Sequence, residues 1–212
     1  MDIYLLRHGE TDWNKTGRLQ GHADIPLNAR GRVQVDETVR ILRNMGVRMD
    51  VMVSSPLKRA QESAVIAAAL LNYPRDSIVV ENLLIERDFG EGEGLTIKEG
   101  EIRYPGCDFP GLELQKDLVA RAGRAFRKIV NTHKNAERIL LVAHGAVLFA
   151  LLEAVSEETI PYIGRAACVE QGCLYGIRYV DGKSCFARYD ERVKAFVETN
   201  AAEIGKAAKI YM

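Results

Sequence analysis

The chain has 212 residues, which is enough for one domain with a substantial hydrophobic core. Lysine plus arginine and aspartate plus glutamate number 29 each, so no net charge attracts nucleic acid or an anionic membrane. Any anion-binding site must therefore be local. We expect a single domain over residues 1–212 and no nucleic-acid partner.

The cysteines and the N-terminal region predict the cellular compartment in which the protein resides. Cys107, Cys168, Cys173 and Cys185 form no CxxC pair and have no adjacent histidine, so free thiols are expected rather than a metal site. The sequence passes into an apolar strand without the basic region of a signal peptide, and no apolar run is as long as a bilayer span. We expect a soluble, cytoplasmic protein that associates with no membrane.

The first predicted strand ends in a cluster of polar residues. Residues 3–6 are an uninterrupted apolar run typical of a strand buried on both faces, and Arg7, His8 and Gly9 follow it. Ligands bind to open α/β sheets where such strands end. Arginine offers phosphate oxygens a planar fork of donors, and neutral histidine offers a nucleophilic nitrogen. The junction predicts a site for attack on a phosphoryl group, although three residues alone are a weak motif.

A polar loop and a second strand–helix unit come next. Residues 11–28 are predicted to form a loop, Asn28 can cap a helix that ends near Gly46, and residues 51–53 are a short strand. A serine and proline cluster then starts a further helix, with Arg59 in its first turn. Because helix N-termini favour anions, Arg59 is a second candidate phosphate ligand, and a solvated surface arginine is the alternative.

The middle of the chain alternates between loops and helices. Residues 78–81 predict a third strand, and the glycine-punctuated segment 84–94, here called the acidic loop, carries four acids. One of these acids could donate a proton, and the sequence does not say which. Residues 99–112 are predicted to be an irregular loop or a broken helix, and residues 113–133 the longest helix.

A later strand repeats the design of the first. Residues 138–143 are predicted to form a strand that is apolar from residue 139 onward; His144 and Gly145 follow it, after which a helix is predicted over residues 146–155. In a parallel sheet the ends of two such strands lie on the same side. We therefore expect His8 and His144 to lie close together.

The last third of the chain has a different pattern. The segments 172–180 and 184–189 flank an Asp-Gly turn and predict an antiparallel hairpin at the sheet edge. The alanine-rich tail beyond residue 197 is predicted to be weakly helical.

Five segments, in this order, resemble the histidine phosphatase superfamily in its phosphoglycerate-mutase-like branch. They are Arg7-His8-Gly9-Glu10-Thr11 with Asn14, Leu19-Gln20-Gly21 with Pro26-Leu27, Ser54-Ser55-Pro56-Leu57-Lys58-Arg59-Ala60, Glu86 before Phe89-Gly90, and Val142-Ala143-His144-Gly145. Their joint occurrence is far more specific than any one motif.

The resemblance implies a fold, a mechanism and a set of site residues. The fold is a three-layer α/β/α sandwich with a mostly parallel central sheet and antiparallel edge strands. The matching positions imply catalytic roles for His8 as the nucleophile, Glu86 as the proton donor and His144, and a phosphate pocket that includes Arg7, Asn14, Gln20, Gly21, Arg59 and Gly145. The implied substrate is a small phosphorylated metabolite, and no cofactor or metal is implied.

These roles set chemical requirements. The two arginines and His144 would neutralise an anionic ester that otherwise repels the attacking group. His8 must be neutral, so one ring nitrogen should donate to an acceptor such as a backbone carbonyl while the other attacks. Glu86 must carry a proton for the leaving alkoxide and then act as the base for water.

Departures from the family pattern concern the presumed pocket mouth. Gly92 stands where family phosphatases often have tryptophan, which removes a large ring, and Pro110-Gly111-Leu112-Glu113-Leu114 replaces Pro-Gly-Gly-Glu-Ser. The resemblance therefore does not set the substrate preference. His22 lies in a family-like Gln-Gly-His stretch and is expected to be structural rather than catalytic.

Three functions remain open from the sequence. A phosphatase is favoured over a cofactor-dependent phosphoglycerate mutase, because such mutases usually carry a longer insertion between the acidic loop and the second histidine strand. A catalytically weak phospho-ligand-binding or regulatory protein is the third alternative, since a fold alone does not guarantee chemistry. The complete set of candidate catalytic residues argues against it. A homodimer is a candidate assembly.

Overall fold

A mixed sheet of seven strands runs through the residues that the computed structural model describes, which are 1–156, 171 and 174–199. The strands are β1 (Asp2–Arg7), β2 (Val51–Ser54), β3 (Val79–Val80), β4 (Arg138–Ala143), β5 (Leu174–Val180), β6 (Lys183–Asp190) and β7 (Ala195–Thr199). The helices are α1 (Asp12–Lys15), α2 (Ala29–Asn44), α3 (Lys58–Leu70), α4 (Ile97–Arg103), α5 (Gln115–Thr132) and α6 (Gly145–Val155). The spatial order of the strands is β3-β2-β4-β1-β5-β6-β7.

The two strands that precede the histidines lie side by side in the sheet. β1 pairs in parallel with β4, from Asp2 opposite Arg138 to Arg7 opposite Ala143. β4 also pairs in parallel with β2, and β2 with β3. The amide of His8 donates to the carbonyl oxygen of Ala143 at 3.0 Å, so the register continues one residue past the strand. Both histidine positions therefore lie at the same edge of the sheet.

Beyond β1 the sheet is antiparallel. β5 pairs antiparallel with β1, β6 pairs antiparallel with β5, and β7 pairs antiparallel with β6. β5 and β6 form the predicted hairpin. The prediction of a weak helix after residue 197 is wrong for the first residues of that tail, which belong to β7. The ring of Phe196 packs on Tyr4 and Tyr189 with centroid separations of 5.5 and 5.6 Å, and this aromatic burial favours a strand. The remainder of the tail lies outside the described residues.

Helices cover both faces of the sheet, which confirms the predicted three-layer α/β/α arrangement. The side chains of β4 alternate between two cores. Ile139 and Leu141 belong to the core against α5 and α6, whereas Leu140 and Val142 belong to the core against α2 and α3. All four are fully buried, as expected of a central parallel strand.

The start of α2 supports the loop that carries His8. The side chain of Asn28 accepts the amide of Gly31 at 2.8 Å, which confirms the predicted cap. A Cβ atom on Gly9 would lie 2.1 Å from the carbonyl oxygen of Gly31, so only glycine allows this close approach. The chain after His8 is therefore pressed directly against α2.

Short helices occupy the predicted polar loop and the segment predicted to be an irregular loop or a broken helix. α1 lies within the predicted polar loop and begins with a capping box between Thr11 and Asn14. α4 begins with a second capping box, between Thr96 and Glu99, and a 3₁₀ turn follows it at Pro105–Cys107. Reciprocal side-chain caps of this kind stabilise helices too short for a hydrophobic stripe to be recognised.

Cys107 is half-buried and Cys185 is exposed, and both are free thiols. Cys168 and Cys173 lie outside the described residues. Within residues 1–156 and 174–199, no helix has both the length and the apolar character needed to cross a lipid bilayer. The same residues contain no group of three or more histidine, cysteine or acidic side chains arranged to hold a metal ion.

Candidate active site

Four basic side chains meet at the carboxyl edge of the sheet, and we call them the basic floor. Arg7 ends β1, His8 follows it, His144 follows β4, and Arg59 lies in the first turn of α3. All four are buried, and the most exposed of them is Arg7, at 7 %. The rings of His8 and His144 touch edge to face with centroids 5.1 Å apart, which confirms their predicted proximity.

The surroundings of His8 determine its tautomer. Its Nδ1 atom lies 2.7 Å from the carbonyl oxygen of Gly9, which can only accept, so Nδ1 carries the proton. The Nε2 atom therefore keeps its lone pair. Burial, and after it the charges of Arg59 and Arg7, hold the pKa of His8 well below its ordinary value of 6.5. At neutral pH the ring is uncharged and Nε2 has the character of a nucleophile.

Arg59 is fully buried, which excludes the alternative of a solvated surface arginine. Its two terminal nitrogens donate to the carbonyl oxygens of Ala23 and Gly21 at 2.7 and 2.8 Å, and its Nε atom donates to Nδ1 of His144 at 3.2 Å. Burial lowers the pKa of Arg59 to about 10, and the negative charge of Glu86 opposes this shift. The guanidinium stays cationic at neutral pH in a site where little water screens it.

His144 is held through both ring nitrogens. Opposite Arg59, its Nε2 atom lies 2.6 Å from Oγ of Ser55, the fully buried residue that follows β2. Burial, and after it the charge of Arg59, hold the pKa of His144 well below 6.5. The sequence motif includes Ser55, but serine before a proline-containing helix start is most simply interpreted as a cap. The contact arises because β2 and β4 are neighbours in the sheet.

The polar loop joins the candidate amide ligands into one network. The buried hydroxyl of Thr11 donates to Oε1 of Gln20 at 2.9 Å. Oδ1 of Asn14 accepts the amide of Thr11 at 3.1 Å and Nε2 of Gln171 at 3.2 Å. Thr11 and Gln171 were not among the predicted site residues, and Gln171 in particular comes from a distant segment with no recognisable motif.

Gly21 allows the polar loop to approach the acidic loop. Its φ angle is +51°, and a Cβ atom there would lie 1.8 Å from a carboxylate oxygen of Glu93. That carboxylate accepts the amides of His22 and Ala23 at 2.7 and 3.0 Å. The carbonyls that bind Arg59 therefore belong to a loop that Glu93 ties down from the other side.

The carboxylate of Glu86 lies at the N-terminus of α6, which begins at Gly145 directly after His144. It accepts the amides of Ala146 and Val147 at 3.3 and 3.1 Å, and that of Arg87 at 2.9 Å. Helix N-termini stabilise negative charge through such free amides. The contacts hold a carboxyl group next to the basic floor.

The other three acids of the acidic loop are engaged elsewhere. Asp88 accepts the amide of Gly90 at 2.7 Å. The side chain of Glu91 is 57 % exposed and contacts Tyr104, and Glu93 binds the polar loop as described above. Of the four acids, Glu86 is the one that contacts the helix following His144.

A side-chain clamp holds the backbone of the acidic loop. Arg121 of α5 donates to the carbonyl oxygens of residues 83 and 85 at 2.7 and 2.8 Å and to that of Glu86 at 3.2 Å. The carboxylate of Glu113 binds the same guanidinium at 2.8 and 2.7 Å. Sequence reasoning missed Arg121, because an arginine on an amphipathic helix is most often simply solvated.

His22 contacts the backbone of the acidic loop. Its Nε2 atom lies 3.0 Å from the carbonyl oxygen of Glu86, and its Nδ1 atom lies 3.7 Å from a carboxylate oxygen of Asp88. The contact with Glu86 is to the main chain and not to the carboxylate. This geometry favours the structural interpretation of His22.

The space next to Gly92 is filled by another aromatic ring. A Cβ atom on Gly92 would lie 2.5 Å from the ring of Phe109, and one on Gly100 would lie 2.9 Å from it. Phe109 is only 6 % exposed, and Tyr104 packs against it edge to face. Phe109, from a later segment, therefore packs where a side chain at position 92 would begin.

Comparisons with known proteins agree with this geometry. The family model of the histidine phosphatase superfamily (branch 1) matches residues 3–192. The chain is 40% identical over 181 residues to the phosphatase PhoE of Bacillus subtilis (strain 168), covering 85% of this chain and 90% of that protein. It is 33% identical over 175 residues to the 2,3-bisphosphoglycerate-dependent phosphoglycerate mutase of Methylobacterium sp. (strain 4-46), covering 75% and 84%.

A solved structure shares the fold. The structure of Bacillus stearothermophilus YhfR matches with a TM-score of 0.76 and 29% sequence identity, covering 86% of this chain and 93% of that one. The family match includes both histidine strands, the start of α3 and the acidic loop. The chain belongs to the histidine phosphatase superfamily, branch 1.

Proposed function

We propose that this chain is a phosphatase that hydrolyses a small-metabolite phosphomonoester through a phosphohistidine intermediate on Nε2 of His8. The observation that carries the proposal is a neutral histidine with its Nε2 lone pair free, next to two buried guanidinium groups. Such cations attract a phosphoryl group and stabilise the charge that develops as it transfers.

In the first step, the Nε2 lone pair of His8 attacks phosphorus and the ester P–O bond breaks. Glu86 donates its proton to the leaving alkoxide, which departs as an alcohol. Arg7 and Arg59 bind the phosphoryl oxygens, and the amide groups of Asn14 and Gln20 add hydrogen bonds. Main-chain amides near Gly21 and Gly145 complete the proposed pocket.

In the second step, water attacks the phosphohistidine. The Glu86 carboxylate takes a proton from that water, the P–N bond breaks, and its electron pair returns to Nε2 of His8. Inorganic phosphate then leaves. Glu86 is protonated again and the site has returned to its starting state, so no external oxidant, reductant or metal is consumed.

The relative PhoE supports hydrolysis, and the mutase relative keeps phosphoryl transfer between two positions of one substrate as the second candidate. A mutase must retain its bound product long enough to return the phosphoryl group. The short segment between the acidic loop and β4 favours the phosphatase, because it offers little chain to cover the site. A metabolite in the cytoplasm is the proposed substrate, with no nucleic-acid partner and a homodimer as a candidate assembly.

The test is release of p-nitrophenol from p-nitrophenyl phosphate, run alongside conversion of 3-phosphoglycerate to the 2-isomer. The wild-type protein should release phosphate, and His8→Ala should lower kcat/KM roughly 10⁴-fold or more, because the nucleophile is removed. His133→Ala, which removes a histidine at the far end of α5, is the matched control and should retain activity.

The outcomes separate the candidates. Isomerisation without phosphate release would favour the mutase, and binding of inorganic phosphate without turnover of either ester would favour a regulatory protein. Turnover that survives His8→Ala would reject the phosphohistidine mechanism. A panel of phosphorylated metabolites then identifies the substrate.

A further inference from the structure

A cavity of about 470 Å³ opens on the antiparallel half of the sheet. Its walls come from the first residues of β1, from the hairpin β5–β6, from β7 and from Met45 at the C-terminal end of α2. The basic floor lies at the other end of β1. The cavity is therefore separate from the proposed phosphoryl pocket, and its volume is typical of small-molecule sites.

Two small residues form the centre of the cavity floor. Strand pairing places Tyr4, Gly176, Ala187 and Glu198 in one row across β1, β5, β6 and β7, and residues in such a row project from the same face of a sheet. Phe196 also lies in β7, and its ring packs on Tyr4 with the centroids 5.5 Å apart. The cavity thus combines an aromatic wall and a carboxylate around a floor that carries no long side chain.

The hydroxyl group of Tyr4 is available to a ligand. Tyr4 lines the cavity and is only 8 % exposed, yet its hydroxyl forms no hydrogen bond with any residue that the structure describes. Burial, and after it the charge of Asp2, raise the pKa of Tyr4 above its ordinary value of 10, so the hydroxyl is neutral at physiological pH. A largely buried polar group without a protein partner is stabilised when a bound molecule completes its hydrogen bond.

The charges that line the cavity leave an excess of negative charge. Nε and a terminal nitrogen of Arg178 donate to the two carboxylate oxygens of Asp2 at 2.8 and 3.3 Å, so these two residues neutralise each other. Glu198 is exposed and forms no ion pair within the described residues 1–156 and 174–199. A carboxylate next to two aromatic rings attracts cations, because the face of an aromatic ring is also negative.

We propose that this cavity is a second binding site, for a primary ammonium ion carried on a small apolar body. The ammonium group donates to the hydroxyl oxygen of Tyr4, and Glu198 supplies the opposite charge. The apolar body packs against Phe196 and Met45, above Gly176. An anion would be repelled by Glu198, and a neutral molecule would gain nothing from that carboxylate. The proposal does not depend on the reaction that the basic floor performs.

The direct test titrates phenethylamine into the ¹⁵N-labelled full chain and follows the amide signals by NMR. A ligand of this size should bind with a Kd on the order of 1 mM. Its neutral analogue 2-phenylethanol and its anionic analogue phenylacetate should bind roughly tenfold more weakly or not at all, because they lack the cation. Equal affinity of the three ligands would overturn the proposal, as would no binding of phenethylamine at about ten times the expected Kd.

The same titration locates the site. The amide signals of Gly176, Ala187 and Glu198 should shift, whereas those of His8 and Gly145 should not. Saturating inorganic phosphate should leave the affinity for phenethylamine unchanged. Competition between phosphate and the amine would place the amine at the basic floor and would contradict a second site.

Two conservative variants test the polar contacts. Tyr4→Phe should weaken phenethylamine binding roughly fivefold and leave urea unfolding unchanged, because the hydroxyl that it removes has no protein partner. Glu198→Gln should weaken binding roughly threefold, since an exposed charge contributes modestly. Glu191→Gln, which changes an exposed acid in the turn between β6 and β7, is the matched control. Wild-type affinity in both Tyr4→Phe and Glu198→Gln would reject the proposed contacts.

A third variant fills the cavity. A Cβ atom on Gly176 would lie 3.5 Å from the ring of Phe196, which is an ordinary contact, so Gly176→Val can be accommodated. It should abolish detectable binding while its urea midpoint stays at or above that of the wild type, because valine favours strands more than glycine does. Binding that survives this substitution would reject the cavity as the site. None of these measurements requires turnover, so they decide the second site even if the protein hydrolyses no phosphate ester.

Discussion

The basic floor and the acidic loop contribute to one site, but different forces position them. Every residue of the floor ends a central strand, directly follows one, or lies in the first turn of a helix, so the main-chain hydrogen bonds of these elements fix its location. Glu86 belongs to a loop that contains only 3₁₀ turns, and its backbone is held by the side chain of Arg121 and by His22. Most side-chain substitutions leave the main-chain hydrogen bonds of a sheet intact, whereas a loop held by a few side chains loses its position when one of them is replaced.

This difference separates the expected effects of mutations. Substitutions in the floor remove interactions with the phosphoryl group that every substrate shares, so they should slow all esters by a similar factor. Substitutions in or behind the acidic loop affect proton transfer to the leaving group, so they should slow esters with poor leaving groups most. Comparing an alkyl with an aryl phosphate distinguishes the two regions.

After the loss expected for His8→Ala, the largest effect is expected for Arg59→Ala, which should lower kcat/KM about 10³-fold for both ester types, because a preorganised cation is lost from a buried site. Steady-state kinetics with p-nitrophenyl phosphate and an alkyl phosphate measures this. Lys58→Ala removes an exposed cation from the preceding position and should have little effect. A loss of activity with only one of the two ester types would contradict a contact between Arg59 and the phosphoryl group that both esters share.

Glu86→Gln should lower kcat about 10²-fold for alkyl phosphates and much less for aryl phosphates, whose leaving groups need no proton. The same pair of substrates measures it. Glu91→Gln changes an exposed acid of the same loop and is the control. Equal slowing of both esters would show that Glu86 does not act as the general acid.

Arg121→Met tests whether the clamp matters for chemistry as well as for stability. Losing its contacts with the loop carbonyls and Glu113 should let Glu86 move and slow alkyl phosphates roughly tenfold, with a smaller effect on aryl phosphates. Urea unfolding should show a stability loss of about 2 kcal/mol, because buried acceptors lose their donor. Arg124→Met, on the exposed face of the same helix, is the control. If the variant is less stable but the ratio of its activities with alkyl and aryl phosphates is unchanged, Arg121 contributes to stability and not to the positioning of Glu86.

The last prediction concerns the dependence of stability on pH. The pKa values of His8 and His144 lie well below 6.5 in the folded protein, so below about pH 6.5 the unfolded chain takes up protons that the folded chain does not. Stability should therefore fall as the pH drops from 6.5 to 5, by up to about 1.4 kcal/mol per pH unit for each ring. Denaturant unfolding should show a shallower slope for His8→Gln, and identical slopes would contradict buried neutral rings.

The sequence predicted the parts of this site that depend on local pattern. Apolar runs followed by His-Gly identified both histidine positions, and the Asn28 cap was predicted from one side chain. It did not predict α1 or β7, because a capping box and an aromatic cluster outweighed weak local propensities there. The roles of the site residues and the single-domain organisation stay predictions.

By itself the sequence determined the family, the strands and the residues that can carry phosphoryl chemistry, because these follow from short-range pattern and motif. The tertiary structure decided which groups meet: Ser55 with His144, Arg121 with the acidic loop, and Phe109 with Gly92. Those contacts join positions far apart along the chain. They depend on strand order and loop path, which hydrophobic periodicity does not encode.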